Sequence, residues 1–377
     1  MRKTLVVTND LPPRSGGIET FIHELLIRLP QDSVAVFGPA HPQAPACDAG
    51  LPYEVVRHDG PVMPRPAAVK AAVHVARSTG CEQVLIASAM PVGMMVPALY
   101  RAGLPTAVAM THGNEAGWAR VPGVSAGLRR ISEADFVTYL GDYTRSRIEP
   151  ILTHGTRMRR LAPAVDPQRF HPDVDASHLL VKHNIRGRIV IGCISRLVAR
   201  KGQDRLIQAL PHIRSLVPEA VVMLVGDGPD RQRLEKLARA VGVEKHVVFT
   251  GRVADEDLPA YYAACDVFAL PCRTQRMGID VEGLGIVLLE ASATGKPVIA
   301  GNSGGAPDAV RDGHTGVVIN DDVHTLANAV VDIVSDDFRA AAMGQAGRSW
   351  VLENWTWDTP SGRLRSMLAG VDPDLMI

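Results

Sequence analysis

The fold of this chain is decided near its middle, where residues 189–195 read IVIGCIS. This short apolar run is rich in β-branched residues, which is typical of a strand buried in a parallel sheet. After it, predicted helices (204–216, 231–240, 258–264 and 285–294) alternate with predicted strands (220–225, 247–250, 267–270 and 298–300), and two C-terminal helices follow. This alternation predicts βαβ units around a parallel sheet.

A similar series precedes the run. Its predicted strands are residues 5–7, 34–37, 83–87, 106–110 and 135–139, and its clearest helical patterns are 19–29 and 67–78. Residues 164–187 between the two series are polar and irregular. We therefore expect an α/β protein with two doubly wound, Rossmann-like domains, residues 1–168 and 169–355. Residues 356–377 would form a terminal helix that packs back on the first domain. Such folds bind ligands outside the carboxyl ends of their strands, which predicts a cleft between the domains.

The amino-acid composition limits the classes of protein to which this chain can belong. The 377 residues are 46% hydrophobic and 21% charged, as in a globular protein of about two domains. The formal net charge of zero argues against a nucleic-acid binder. Five cysteines without a Cys-x-x-Cys pair indicate reduced thiols rather than disulfides or a zinc site. We find neither a signal-peptide pattern nor an apolar stretch that could span a bilayer, so we expect a cytoplasmic protein.

The most informative motif is EGLGIVLLE at residues 282–290. Glu282 lies in a glycine-broken turn, and Glu290 lies eight positions later in the apolar helix that the turn opens. Because a helix N-terminus with a flexible backbone is a ready anion site, the turn could hold a phosphate. Glu282 could then contact a sugar, and Glu290 could hold a ribose. The plainer alternative is a helix start with an acidic first turn.

Other motifs follow predicted strands. They are PPRSGGIE (12–19), THGNE (111–115), SRLVARKG (195–202), VGDGP (225–229), TGRV (250–253) and GGAPD (304–308). A Gly-Gly loop lets backbone amides approach a phosphate, a histidine can bind a sugar hydroxyl, and arginine with lysine suits a diphosphate. Taken singly, each is also explained by a tight turn, a core histidine, a solvated basic turn or a helix cap. Their order along the chain carries the prediction.

In this order the motifs resemble those of glycosyltransferase family 4 (GT4), which are retaining enzymes with the GT-B fold. The resemblance covers nearly the whole chain. Within the family, the chain is similar to the PimB-type actinobacterial phosphatidylinositol mannosyltransferases, in residues 7–14, 111–113, 195–203, 278–290 and 298–307. The resemblance implies transfer of mannose from GDP-mannose to a phosphatidylinositol mannoside glycolipid, without metal or cofactor. It also implies possible peripheral contact with the inner membrane at its cytoplasmic face.

The resemblance also implies roles for single residues. Arg196 and Lys201 would neutralise the diphosphate leaving group, and Glu282 and His112 would contact the transferred sugar. The implied catalytic residues are His112, Glu282, Arg196 and Lys201. The implied nucleotide-sugar contacts are Gly16, Gly17, Arg196, Lys201, Gly226, Arg252, Val253, Gly283, Leu284, Gly285, Ile286 and Glu290. The implied acceptor contacts are Asp10 and Glu19.

Three departures from the PimB-type pattern concern the acceptor and the hinge. Asn114 replaces a histidine, Pro163 and Ala164 replace Ser-Gly, and Glu19 replaces an amide. They leave open an enzyme of the same family with another sugar nucleotide and a soluble sugar, cyclitol or natural product as acceptor. A sugar-nucleotide 2-epimerase is the alternative of another class. A dehydrogenase is disfavoured, because the G-x-G-x-x-G dinucleotide fingerprint is missing.

Overall fold

A computed structural model describes residues 1–14, 16–30 and 32–375. Ser15 of the predicted Gly-Gly loop lies outside the described residues. The chain forms two compact units, and the C-terminal segment belongs to the first of them: unit 1 is residues 1–163 with 357–377, and unit 2 is residues 164–356. The divisions fall at 163/164 and 356/357, whereas the sequence placed them at 168/169 and 355/356.

Unit 1 contains a seven-stranded parallel sheet. Its strands are β1 Thr4–Val7, β2 Val34–Pro39, β3 Glu54–His58, β4 Gln83–Ile86, β5 Thr106–Ala109, β6 Phe136–Tyr139 and β7 Met158–Arg160. Their order in the sheet is β3-β2-β1-β4-β5-β6-β7. The helices are α1 Gly17–Leu26, α2 Ala44–Asp48, α3 Pro66–Thr79, α4 Val96–Arg101, α5 Asn114–Trp118, α6 Val124–Leu128 and α7 Asp142–Ile148. The order reverses between β1 and β4, as in a doubly wound fold.

Local sequence explains the elements of unit 1. Helix α3 begins with Pro66 at its first turn and ends before Gly80, whose φ of +72° suits a left-handed helix cap. Its buried face, which includes Ala72 and Val75, packs in one core with β1 and β4 residues such as Leu5 and Ile86. Small side chains on the helix let it lie close to the sheet.

Unit 2 contains a six-stranded parallel sheet. Its strands are β8 Ile189–Ile194, β9 Ala220–Val225, β10 Val247–Gly251, β11 Val267–Leu270, β12 Val298–Gly301 and β13 Gly316–Ile319. Their order is β10-β9-β8-β11-β12-β13, which reverses between β8 and β11. The helices are α8 Ser177–Lys182, α9 Gln203–Leu216, α10 Arg231–Ala240, α11 Leu258–Ala263, α12 Ile286–Ala293, α13 Val323–Val334 and α14 Asp337–Asn354. Both units thus have the predicted doubly wound topology.

The last helix, α15 Asp358–Leu368, belongs to unit 1. The buried side chain of Gln83 on β4 donates to the carbonyl oxygen of Leu368 at 2.8 Å. Trp357, just before the helix, lies 6.2 Å from the ring of Phe21 and under the guanidinium of Arg28. The predicted terminal helix that packs back on the first domain is therefore confirmed. The sequence predicted two C-terminal helices, whereas the described residues form three, α13, α14 and α15.

Three strands were not predicted from the sequence, and all three lie at sheet edges: β3, β7 and β13. Strands β3 (EVVRH) and β7 (MRR) carry charged residues, and most of their residues are only partly buried. Strand β13 has four residues, the middle two of them partly exposed. An edge strand has one free side, so it lacks the long apolar run by which buried parallel strands are recognised.

Candidate active site

The carboxyl ends of the unit 2 strands carry loops that lie backbone against backbone. A Cβ added to Gly202, after β8, would lie 1.9 Å from the carbonyl oxygen of Pro271, after β11. A Cβ added to Gly304, after β12, would lie 2.0 Å from the carbonyl oxygen of Glu282. Only glycine permits such approaches. The loops that carry SRLVARKG, EGLGIVLLE and GGAPD are thereby brought together at the edge where the strand order reverses.

At this edge a buried carboxylate meets two cations. Glu282 is 7% exposed, and its Oε2 lies 2.7 Å from Lys201 Nζ and 2.6 Å from Arg200 Nη1. Arg200 is also paired with Asp280, whose Oδ1 lies 3.2 Å from its Nε. Burial alone would raise the pKa of Glu282, but the Lys201 and Arg200 cations hold it below its ordinary value. Glu282 is therefore ionised at neutral pH and accepts hydrogen bonds only.

Arg196 and Lys201 were predicted to act together on a diphosphate, and the structure adds a second cation, Arg200, at Glu282. Among the described residues, Arg200 rather than Arg196 is paired with Glu282, and the Arg196 side chain is exposed. Arg200 and Lys201 lie in a short 3-10 turn, Ala199–Lys201, that brings consecutive side chains to one carboxylate. The sequence motif contained Arg200, but the prediction gave it no role. The proposed role of Arg196 toward a diphosphate stays a prediction.

The second carboxylate of the motif has a different environment. Gly285 has a φ of +77° and precedes α12, which places Gly283, Leu284 and Ile286 at the helix start. Glu290 lies on the second turn of α12, and its Oε2 accepts a hydrogen bond from Tyr262 Oη at 2.5 Å.

The pKa values of Glu290 and Glu282 are shifted in opposite directions. Burial raises the pKa of Glu290 above its ordinary value, although the Tyr262 hydroxyl and the charge of Arg169 act against it. In many enzymes, a pair of carboxyl groups whose environments shift their pKa values in opposite directions belongs to the functional site. Sequence reasoning found both carboxylates and missed Tyr262.

The predicted nucleoside contacts lie beside the same loops. Gly226, after β9, has a φ of +126°, and a Cβ on it would lie 2.3 Å from the carbonyl oxygen of Ser195. Its amide donates to the carbonyl oxygen of Gly251 at the end of β10, at 2.9 Å. Arg252 is exposed and Val253 partly buried. The loops after β8, β9 and β10 therefore form one continuous rim.

In unit 1, His112 follows β5 and is held at a fixed orientation. Its Nε2 lies 2.5 Å from the carbonyl oxygen of Ala87, and its backbone amide donates to Glu115 Oε2 at 2.9 Å. The Phe21 ring meets it edge-on at 5.9 Å. Since a carbonyl oxygen only accepts, Nε2 is the donor in this contact. The Ala87 carbonyl orients the ring, and Glu115 fixes the backbone of His112. The predicted motif THGNE contained Glu115 without assigning it a role, and Ala87 was not identified.

The other predicted unit 1 residues surround the start of α1. The backbone amide of Asp10 donates to Thr8 Oγ1 at 2.9 Å. The Glu19 carboxylate folds back over the Gly-Gly loop, so that a Cβ on Gly16 would lie 2.6 Å from Glu19 Oε2. Gly17 is the first residue of α1. A carboxylate at this place is stabilised by the helix dipole, and it adds negative charge beside the loop.

Known proteins match the chain over almost its full length. The family model described as Glycosyl transferases group 1 matches residues 178–350. A Mycolicibacterium smegmatis protein, named GDP-mannose-dependent alpha-(1-6)-phosphatidylinositol monomannoside mannosyltransferase, is 44% identical over 97% of this chain and 98% of its own. The chain belongs to this glycosyltransferase family. It is a hexosyltransferase, as its sequence motifs predicted, and the 2-epimerase alternative finds no support.

A second relative of this glycosyltransferase comes from Corynebacterium glutamicum. Its name is GDP-mannose-dependent monoacylated alpha-(1-6)-phosphatidylinositol monomannoside mannosyltransferase, and it is 40% identical over 97% of this chain and 98% of its own. Among solved structures, Anabaena HepE in complex with UDP and glucose has a TM-score of 0.83 at 20% identity, covering 98% of this chain and 100% of that chain. The predicted GT-B fold class is confirmed.

Two properties of the described residues bear on the environment of the enzyme. Within them, no group of three or more His, Cys, Asp or Glu side chains is arranged to hold a metal ion. No helix in the described part of the chain is long and apolar enough to cross a membrane.

Proposed function

We propose that this glycosyltransferase transfers mannose from GDP-mannose to a phosphatidylinositol mannoside-type glycolipid, with retention of the anomeric configuration. Relatives at 40–44% identity that carry such names support the donor and the acceptor. The observation that carries the site is the buried Glu282 with Lys201 and Arg200 at the carboxyl edge of the unit 2 sheet.

The charges of this cluster suit a nucleotide-sugar donor. An ammonium group has three donors, so Lys201 can hold Glu282 and a phosphate oxygen together. Arg196, exposed in the same loop, adds a planar donor fork for the diphosphate. The backbone amides at the start of α12 add further donors for an anion. Ionised Glu282 accepts hydrogen bonds from sugar hydroxyls, and Glu290 accepts them from the ribose.

The bond changes follow from this arrangement. The bond between the anomeric carbon and the diphosphate oxygen breaks, and a bond to the acceptor oxygen forms on the same face. The departing diphosphate takes the acceptor's proton. Preorganised cations stabilise the negative charge that develops on the leaving oxygen. Such electrostatic stabilisation is the largest contribution to the rate enhancement in many enzymes. In unit 1, His112 offers Nδ1 to a sugar hydroxyl, and Asp10 contributes to acceptor binding.

A second acceptor class is favoured by one observation. The Glu19 carboxylate lies over Gly16 at the start of α1, where it would repel a phosphate group of an acceptor. A soluble sugar, cyclitol or natural product without phosphate would not meet that repulsion. With a glycolipid acceptor, by contrast, the enzyme works at the cytoplasmic face of the membrane that holds the lipid.

One experiment tests donor and acceptor together. GDP or UDP release is measured with GDP-mannose or UDP-glucose, with phosphatidylcholine vesicles that contain or lack phosphatidylinositol monomannoside. We expect release only from GDP-mannose and only with the glycolipid. Turnover of GDP-mannose with soluble inositol but not with glycolipid vesicles would move the acceptor to the second class. Turnover of UDP-glucose alone would overturn the donor.

A further inference from the structure

We infer that Tyr262 is a positioning residue of the nucleotide site, which holds the Glu290 carboxylate in the orientation that accepts the ribose hydroxyls. Its hydroxyl lies 2.5 Å from Glu290 Oε2. A carboxylate has two oxygens and about four acceptor positions, and one phenol hydrogen occupies one of them. Oε1 is then directed by the bond at Oε2. The inference rests on the proposed function, because it requires a nucleotide ribose at Glu290.

The core of unit 2 sets the position of this hydroxyl. Tyr262 lies on α11 and is fully buried. Its ring packs edge-on against Phe170 at 5.6 Å and at a tilt against Phe268 of β11 at 5.4 Å. A ring enclosed between two aromatic side chains cannot turn away from Glu290. Site residues fixed by packed neighbours hold their geometry more closely than residues on loops do.

Charge supplies a second reason for the bond. The groups that act on Glu290 are the Tyr262 hydroxyl, Arg169 and Asp255. Burial favours the neutral carboxyl, and the hydroxyl opposes this by donating to the ionised form. Arg169 is directed by its own bond to the Asp255 carbonyl oxygen and by stacking over Phe170. Tyr262 therefore orients Glu290 and also helps to keep it ionised, which ribose binding requires.

The test is Tyr262→Phe, which removes the hydroxyl and leaves the ring contacts in place. The adjacent Tyr261 gives a matched control: it is also buried, and its hydroxyl bonds His183 Nε2 at 3.2 Å instead. Binding of GDP and of 2′,3′-dideoxy-GDP is measured by calorimetry. We expect Tyr262→Phe to weaken GDP about tenfold, the scale of one hydrogen bond to a charged group. It should leave dideoxy-GDP binding unchanged, and Tyr261→Phe should change neither.

Two further measurements separate positioning from packing. On a Glu290→Gln background, Tyr262→Phe should cost no further GDP affinity, because a residue that acts through Glu290 is not additive with it. As the pH is lowered, GDP affinity should also be lost at a higher pH in Tyr262→Phe than in the wild type, because the lost donor lets the pKa of Glu290 rise.

The outcomes are distinguishable. Equal losses for GDP and dideoxy-GDP, or unchanged GDP affinity in Tyr262→Phe, would overturn the positioning role while the nucleotide function stands. Failure of the wild-type protein to bind GDP would overturn the nucleotide function and this inference with it.

Discussion

At the scale of single residues, one motif holds two glutamates in opposite electrostatic environments. Glu282 is buried beside Lys201 and Arg200, which hold its pKa down. Glu290 is paired with a neutral phenol, and burial holds its pKa up. The cations beside Glu282 favour its ionised, accepting form, whereas burial disfavours that form at Glu290. Their spacing in the sequence indicates a shared site, and their neighbours decide how each behaves.

Glu282→Gln tests the assignment of this residue to the sugar. We expect transfer to fall on the order of 10²-fold, the scale for losing one preorganised polar contact to the transition state. GDP affinity should persist or increase, because Lys201 and Arg200 lose their carboxylate and remain cationic beside the phosphates. Calorimetry with GDP and a transfer assay check both. A large loss of GDP affinity would place Glu282 at the nucleotide instead.

Arg200→Gln tests the cation that sequence reasoning missed. Arg200 helps to hold the pKa of Glu282 below its ordinary value, so its removal lets that pKa rise. As the pH is lowered, transfer should then be lost at a higher pH than in the wild type. The measurement is the pH profile of kcat/KM, with Arg186→Gln, outside the motif, as the control. An unshifted acid limb would show that Lys201 alone sets the ionisation of Glu282.

At the scale of elements, the site depends on loops that touch through their backbones. Helix α9 begins directly after Gly202, whose φ is +77° and whose Cβ position lies 1.9 Å from the Pro271 carbonyl oxygen. The αL conformation and the contact both require glycine. The motif SRLVARKG therefore ends in glycine for a reason of packing, and that packing places Lys201 at Glu282.

Gly202→Ala and Gly187→Ala separate these two requirements. Gly187 has a similar φ of +71°, but an added Cβ would meet nothing within 4 Å. Both variants carry the left-handed penalty of about 1–2 kcal/mol. Gly202→Ala should lose about 1–3 kcal/mol more, the typical cost of overpacking. Urea unfolding checks the difference, and equal losses would mean that the Pro271 loop moves freely.

The strands show which elements can be predicted from the sequence and which cannot. Buried strands such as β8 and β9 carry continuous apolar runs and were predicted almost to the residue. The edge strands β3 and β7 carry charge and were missed. Pairing with a neighbouring strand forms them, and that pairing leaves little trace in their own residues.

At the scale of the whole molecule, the C-terminal segment is held in unit 1 by ion pairs as well as by packing. The Arg159 guanidinium, on β7, binds both carboxylate oxygens of Asp372. It also lies 3.2 Å from Asp374, which is paired with Arg363 of α15. The bond to Arg159 lowers the pKa of Asp372 to about 2.

Asp372→Asn should loosen this segment in a pH-dependent manner. Because the pKa of Asp372 is lower in the folded state, its stabilisation is present above the unfolded value of about 4. It is lost as the pH falls toward 2. Exchange protection of the amides of α15 should therefore drop at pH 7, and the gap to the wild type should close between about pH 4 and 2. The exposed Asp173→Asn is the control, and a gap independent of pH would point to packing alone.

The sequence by itself determined the two doubly wound units, the enzyme class and most of the residues at the carboxyl edge of the second sheet. Apolar periodicity and glycine placement are local properties, so they can be recognised from the sequence alone. Only the tertiary structure decided that Arg200 is paired with Glu282 and that Tyr262 bonds Glu290. The return of the residues after 356 to unit 1, by contrast, was already predicted from the sequence. The two contacts join residues 82 and 28 positions apart, and packing, not local pattern, chooses among the possible partners.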